Sequence, residues 1–151
     1  MASDPAIAGA LADREAGLRS LNLKAPEPLR PFLTDALAQQ STVLVVTATA
    51  REGEDLVAQL GELIGADSVA YFPAWETLPH ERLSPRSDTV GRRLAVLRRL
   101  VHPSDTSSVE PGGTSTGPIR VIVAPVRSLL QPQAKGLADL VPVELHKGDD
   151  A

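Results

Sequence analysis

The sequence predicts an α/β layered domain, a parallel sheet with helices on both faces, and three observations carry that expectation. Thr42-Val43-Leu44-Val45-Val46-Thr47 and Ile119-Arg120-Val121-Ile122-Val123-Ala124 are β-branched, largely apolar runs, the pattern of strands covered on both sides rather than strands with one face in water. Between them apolar residues recur at helical spacing, and strands alternating with helices build parallel sheets through right-handed crossovers. The length, 151 residues, suits one ordinary domain, and no internal repeat is visible.

Asp4-Pro5 opens a helical pattern over residues 4–20 that carries Ile7, Leu11 and Leu18, with Asp able to cap and Pro suited to the first turn. Leu21-Asn22-Leu23-Lys24 alternates like a short strand. Ala25-Pro26-Glu27-Pro28 then breaks it, and Leu29, Leu33, Ala36 and Leu37 predict a helix over 29–39. After the strand at 42–47, Thr49 stands three residues before Glu52 as a capping box, and Leu56, Val57, Leu60, Leu63 and Ile64 keep helical register up to Gly65. Residues 68–72 read as a strand closed by Pro73. A proline-punctuated loop over 73–88 follows, with Trp75, Pro79, His80 and Pro85.

Ser87 or Asp88 is placed to cap a helix over 89–102, whose Val90, Leu94, Leu97 and Val101 stack along one stripe before Pro103 ends it. Residues 103–118 are Ser, Thr, Gly or Pro at thirteen of sixteen positions. Such a composition buries too little apolar area to offset chain entropy, so a flexible surface loop is expected. Residues 119–124 resume a buried strand, Pro125 begins a short helix to about residue 130, and 141–145 are a further candidate strand.

Apolar residues are 42% of the chain, yet only Phe32, Tyr71, Phe72 and Trp75 are aromatic. The core must therefore be Leu, Val, Ile and Ala, and platforms for base stacking are few. Fifteen Lys plus Arg against nineteen Asp plus Glu give a net charge of -4, which excludes coating of DNA or acidic membrane by bulk charge while allowing local basic patches. With no Cys there is no disulfide, thiolate metal site or cysteine nucleophile. Apolar runs fall far short of the roughly 20 residues that span a bilayer, and Met1-Ala2-Ser3-Asp4 is not the start of a signal peptide. A soluble, cytoplasmic chain is the expectation.

Ligands of open α/β sheets bind at the carboxyl ends of strands, so the loops after Lys24, Thr47, Phe72 and Ala124 are the places to search. A phosphate loop needs glycines, a Lys for the β and γ oxygens and a Ser or Thr for magnesium. After Lys24 the chain reads Ala25-Pro26-Glu27-Pro28-Leu29-Arg30-Pro31. Three prolines delete three N–H donors and Glu27 repels anions, so no nucleotide cofactor is expected there. Gly112-Gly113-Thr114-Ser115-Thr116-Gly117 has no Lys and precedes a strand, which makes it a linker. His80, His102 and His146 lack metal-ligand spacing, Ser128 lacks a nucleophile elbow, and Glu76 and Glu81 suit caps or solvated charge better than acid-base work. No catalytic or metal-binding residue is assigned. Arg92, Arg93, Arg98 and Arg99 are expected on an outer basic face of the 89–102 helix, either solvated or contacting phosphate or an acidic partner. Trp75 is either an anchor that pins its loop or an exposed hot spot.

The segment Phe72-Pro73-Ala74-Trp75-Glu76-Thr77-Leu78-Pro79-His80-Glu81-Arg82-Leu83-Ser84-Pro85, continuing through Asp88 to Arg93, Leu94 and Leu97, resembles the amino-terminal UvrB-homology module of bacterial transcription-repair coupling factors (Mfd). Pro73, Trp75, Glu76, Leu78, Pro79, Ser84 and Pro85 mark this family-motif loop. Val43 to Thr47 with Arg51-Glu52, and Val121 to Pro132, resemble the flanking strands, so the likeness covers roughly residues 20–148. It implies a degenerate, RecA-like helicase subdomain with a decayed phosphate loop (Ala25, Pro26, Glu27, Pro28) and without the tyrosine-rich hairpin by which UvrB grips damaged DNA.

The family displaces stalled RNA polymerase with ATP and recruits UvrA for nucleotide-excision repair on DNA, each in a separate part of the chain. This sequence stops at Gly148-Asp149-Asp150-Ala151, about where the UvrA-contacting subdomain begins. The resemblance therefore implies an N-terminal helix over 1–20, the UvrB-like subdomain over 21–148 and a tail over 149–151 of a non-catalytic fragment, which would pack onto the missing remainder of the chain. An atypical nucleotide-binding enzyme and a weak nucleic-acid binder using Arg92 to Arg99 are the alternatives. An apolar face left uncovered by missing neighbours is expected to promote self-association.

Overall fold

The structure, a computed structural model, describes residues 22–77, 84–103 and 118–140, together with residues 5, 8, 9, 12, 13, 16, 17, 19 and 20. Three parallel strands form one sheet in the order β1-β3-β2: β1 is Val43–Thr47, β2 is Val69–Tyr71 and β3 is Val121–Pro125. Val43 pairs with Val121 and Val69 pairs with the same Val121 from the other side. The last of these three strands in sequence is thus the central one, and its Val121, Val123 and Ala124 are fully buried. That position accounts for its unbroken apolar sequence.

Among the described residues four helices flank the sheet: α1 (Arg30–Ala38), α2 (Ala50–Ile64), α3 (Ser87–Val101) and α4 (Val126–Leu130). Ala38 of α1 and Leu56 and Leu60 of α2 pack with Val69, Val121 and Val123 on one face. Val96 and Leu97 of α3 pack with Ala70, Phe72, Ile122 and Ala124 on the other. Strand alternation separates the two sets, and helices on both faces agree with the expected α/β class. Gly53 lets α2 approach closely, since a Cβ there would stand 3.0 Å from both Thr47 Oγ1 and Tyr71 Cε2. The coverage is uneven. Leu44 and Val46 of β1, which share the face that α3 covers elsewhere, are 51% and 50% exposed.

Several expectations are corrected. Residues 22–24 are exposed irregular backbone, not a strand, because a short alternating segment without a partner ladder has nothing to hold it extended. Helix α3 starts at Ser87 instead of residue 89, with Arg86 at its N-cap and no side-chain cap from Ser87 or Asp88. Its buried stripe is Thr89, Arg93 and Val96, while Val101, expected on the apolar stripe, is exposed. Arg93, expected on the outer face, is 1% exposed. Pro5, Ala8, Gly9, Ala12 and Asp13 are helical as expected, but the helix expected to run to residue 20 does not: Ala16, Gly17, Arg19 and Ser20 are non-helical, with Gly17 at φ 85°. Most of the 103–118 loop, including residues 112–117, and the candidate strand at 141–145 lie outside the described residues, as does the 149–151 tail.

Candidate functional site

With residues 22–24 irregular, the first strand of the sheet is β1, and the turn at its carboxyl end is Thr47-Ala48-Thr49-Ala50. Strand-end turns are where open sheets of this kind hold ligands. Among the described residues no strand stands immediately before Ala25, Pro26, Glu27 and Pro28. Pro26 precedes a 3-10 turn, Glu27–Leu29, that leads into α1. Glu27 and Pro28 nevertheless line the same cavity as Thr47, Thr49, Arg51 and Glu52, about 900 Å³ between α1 and α2. Volume alone would admit a nucleotide, so the chemistry of the lining decides.

Several donors at this turn are already used. Thr49 Oγ1 accepts the Glu52 N–H at 3.2 Å, Glu52 Oε2 accepts the Ala48 N–H at 3.3 Å, and Thr49 O accepts the Gly53 N–H at 3.2 Å. Thr47 Oγ1 donates to Thr49 O at 2.9 Å. The other carboxylate oxygen of Glu52 accepts from Arg30 Nη1 at 2.7 Å. An anion arriving at the N-terminus of α2 would meet a resident carboxylate on the Ala48 N–H, a Glu52 N–H already held by Thr49, and no lysine or glycine among residues 47–52. The Thr49–Glu52 spacing was legible as a helix cap; its place at the end of the first strand was hidden by the misassigned strand at 21–24.

The family-motif loop is fixed at its start. Trp75 N–H donates to Gln131 Oε1 at 2.7 Å and Gln131 Nε2 donates to Trp75 O at 3.2 Å, a bidentate clamp between positions 56 apart that no local signal announces. Arg93 Cζ sits 4.2 Å from the ring centroids of both Phe72 and Trp75, and its Nη1 donates to Pro73 O. Its Nε and Nη2 are buried without a hydrogen-bond partner, and burial lowers the guanidinium's pKa. Thr89 Oγ1 donates to Glu76 Oε1. That hydrogen bond, foremost, holds the Glu76 carboxyl below the ordinary glutamate range. Trp75 is half-buried as an anchor, and Ser84 and Pro85 approach α3 from the far end of the loop. Leu78, Pro79, His80 and Glu81 lie outside the described residues.

The four arginines of α3 do not form one surface. Arg93 is buried, Arg98 Nη1 donates to Leu140 O at 3.0 Å, and Arg99 Nη2 donates to Asp67 O. Arg92 is exposed. Among the described residues no group of His, Asp or Glu is arranged to hold a metal; His102 stands 3.4 Å from Asp139 Oδ1. Ser128 is buried and donates to Pro125 O at 2.7 Å, which spends its hydroxyl as a turn bond. No helix among the described residues is long and apolar enough to cross a membrane.

A three-stranded parallel sheet flanked by helices, with its first strand-end turn sealed by its own side chains, is an α/β subdomain of the degenerate nucleotide-fold class. Compared with known proteins, the chain is similar to the transcription-repair-coupling factors of Mycobacterium bovis and Mycobacterium tuberculosis, 50% identical to each over 131 residues, which is 87% of this chain. A shorter match, 39% identical over 61 residues and 40% of this chain, is to the transcription-repair-coupling factor of Haemophilus influenzae. The resemblance carried by residues 72–85 thus extends over most of the sequence. The chain spans 10% of the length of the mycobacterial relatives. No protein-family model matches.

Proposed function

We propose that this chain is a non-catalytic scaffold, the UvrB-like α/β subdomain of a transcription-repair coupling factor. Whole proteins of that kind are read as ATP-driven, acting on DNA and stalled RNA polymerase and recruiting UvrA in the cytoplasm. Within them this subdomain would support the UvrA-recruiting part and pack against the remaining chain. The observation that carries the non-catalytic reading is the turn at the end of β1, where Glu52, bonded to Arg30 and to the Ala48 N–H, holds a carboxylate against the N-terminus of α2 that would repel an arriving phosphate.

Calorimetry of the purified chain with ATP or ADP and magnesium tests this reading. No heat of binding and no ATP turnover are expected. Saturable binding, or turnover that vanishes when Lys24 or Arg30 is replaced, would establish instead a nucleotide-dependent enzyme with an atypical phosphate loop. The nucleic-acid alternative is less favoured, because Arg93, Arg98 and Arg99 each give a hydrogen bond to a backbone carbonyl. Among the four only Arg92 remains as a cation unallocated among the described residues, and phosphate-backbone binding needs several such contacts.

A further inference from the structure

The candidate strand Val141-Pro142-Val143-Glu144-Leu145 follows directly on the last described stretch of chain, and the path of that stretch bears on its place. After β3 and α4 the chain returns along α3: Arg98 Nη1 donates to Leu140 O at 3.0 Å, and His102 Nε2 stands 3.4 Å from Asp139 Oδ1. This end of α3 lies at the amino ends of the strands, because Arg99 Nη2 donates to Asp67 O just before β2. Leu140 is thus placed to start a strand parallel to the other three. Hand is the second constraint. Crossovers between parallel strands are right-handed, so those on one face of a sheet all step in the same direction. On its face α3 steps from β2 back to β3. A further step from β3 on that face meets β1, already in place, and the first free position is the outer edge of β1.

We propose that residues 141–145 add to this edge as a fourth strand, giving the order 141–145, β1, β3, β2. Pro142 supplies the third constraint, since a proline has no N–H and is tolerated in a strand where its nitrogen faces outward at a sheet edge. Val43 N–H donates to Arg120 O at 2.9 Å, and Val43 and Val45 pack with Val121 and Val123 on the face of α1 and α2. Leu44 and Val46 alternate with them, so their peptide groups face the open edge and their side chains the half-bare face. In a parallel neighbour with Pro142 turned outward, Val141, Val143 and Leu145 direct their N–H groups to β1. Their side chains then join the face that α1 and α2 cover, and Pro142 and Glu144 fall beside Leu44 and Val46. The apolar alternation, the missing donor and the crossover hand agree on one placement. Leu21-Asn22-Leu23-Lys24 alternates as well, but residues 22–24 are exposed and irregular. The added strand closes the β1 edge and leaves the Leu44–Val46 face open. It rests on topology and does not depend on whether the β1 turn binds nucleotide.

Nuclear Overhauser contacts in the isotope-labelled full chain test the placement. Contacts from the Leu44 and Val46 amides to α-protons within 141–145 are expected. Amide exchange then reads the orientation. Val143→Pro removes an N–H directed at β1 and should speed exchange at Leu44 and Val46 about tenfold or more, as local opening does. Glu144→Pro removes an outward N–H and should leave both amides within about threefold of the parent. Val121 and Val123 of the central strand should keep their protection in both variants, which separates loss of the fourth strand from unfolding. If Val143→Pro unfolds the chain, the contacts in the parent decide alone. The proposal is overturned if 141–145 contacts β2 or neither edge, if the β1 edge contacts 21–24 instead, or if a mixture of labelled and unlabelled chains shows β1 paired with a second copy. It is also overturned if Leu44 and Val46 exchange alike in the parent and in a folded Val143→Pro, or if the two proline variants expose them equally.

Discussion

Arg93 lies between Phe72 and Trp75, its guanidinium carbon 4.2 Å from each ring centroid. A charge that is 1% exposed would ordinarily need an anion beside it. Here two ring faces and one carbonyl, Pro73 O, take that place, and the result ties the end of β2 and the start of the family-motif loop to α3.

This arrangement predicts different costs for two substitutions of Arg93. Arg93→Ala loses both ring contacts, the Pro73 hydrogen bond and the side-chain volume, and should destabilise by about 2–4 kcal/mol. Arg93→Met keeps the length and apolar contact and removes two buried donors that have no partner, so it should cost less than about 1.5 kcal/mol. Urea unfolding measures both, with the emission of the sole tryptophan, Trp75, reporting the loosened loop. Equal stability of Arg93→Ala and the parent would show that the stack contributes nothing.

The sealed turn allows a comparison between a cap and an ion pair. Thr49 caps α2 through the Glu52 N–H, and Thr49→Ala should cost about 1 kcal/mol. The Arg30–Glu52 pair is short, 2.7 Å, but its side chains are 52% and 35% exposed. Exposed pairs are worth about 0–1 kcal/mol and are screened by salt. Arg30→Ala should therefore cost less than Thr49→Ala, and its effect should fade in about 1 M salt, where the screening length is only about 3 Å. Thermal unfolding at two salt concentrations checks the ordering, and a salt-independent loss larger than that of Thr49→Ala would contradict it.

How much of this was legible in the sequence follows from where each signal resides. β3 announced itself because a central, doubly covered strand needs a continuous apolar β-branched run; β1 carries the same kind of run although it is an edge strand whose Leu44 and Val46 are half exposed; and α2 announced itself because Thr49, Glu52 and its apolar register agree. The segment 21–24 has the alternation of a strand, but alternation alone supplies no ladder partner. Ala25–Pro28 follows irregular chain and leads through a 3-10 turn into α1. The α3 arginines misled for a different reason: charge at helical spacing says nothing of aromatic rings about twenty positions away, so Arg93 was placed outside while Phe72 and Trp75 were drawing it in. The Trp75–Gln131 clamp is non-local, and nothing near either residue points to it.

Acid sensitivity should appear at Glu76. Its carboxyl is held below the ordinary range chiefly by the Thr89 hydroxyl. A depressed folded pKa means that the contribution is present above the unfolded-state pKa and lost as pH falls through the lower folded value. Thr89→Val should accordingly destabilise at neutral pH, with the difference from the parent shrinking as the solution is acidified through that window. Urea unfolding at a series of pH values tests the sign; a difference that grows on acidification would show that Glu76 is not the group involved.

The uneven cover of the sheet bears on how the chain behaves in solution. β1 is an edge strand, it carries no charge or proline between Val43 and Thr47, and Leu44 and Val46 are about half exposed. Edge strands of soluble proteins are normally blunted by charge, bulges or a covering element, and none of these protects β1 among the described residues. Concentration-dependent self-association is therefore expected, with light scattering rising as the chain is concentrated or warmed. Leu44→Lys and Val46→Lys place a cation on the exposed face while leaving Val43 and Val45 packed against α1 and α2. Each should suppress scattering and change stability by no more than about 1 kcal/mol, since context-dependent strand preferences span about that range. If both variants associate as the parent does, the contact lies elsewhere on the surface, and the bare half of the sheet is not what drives it.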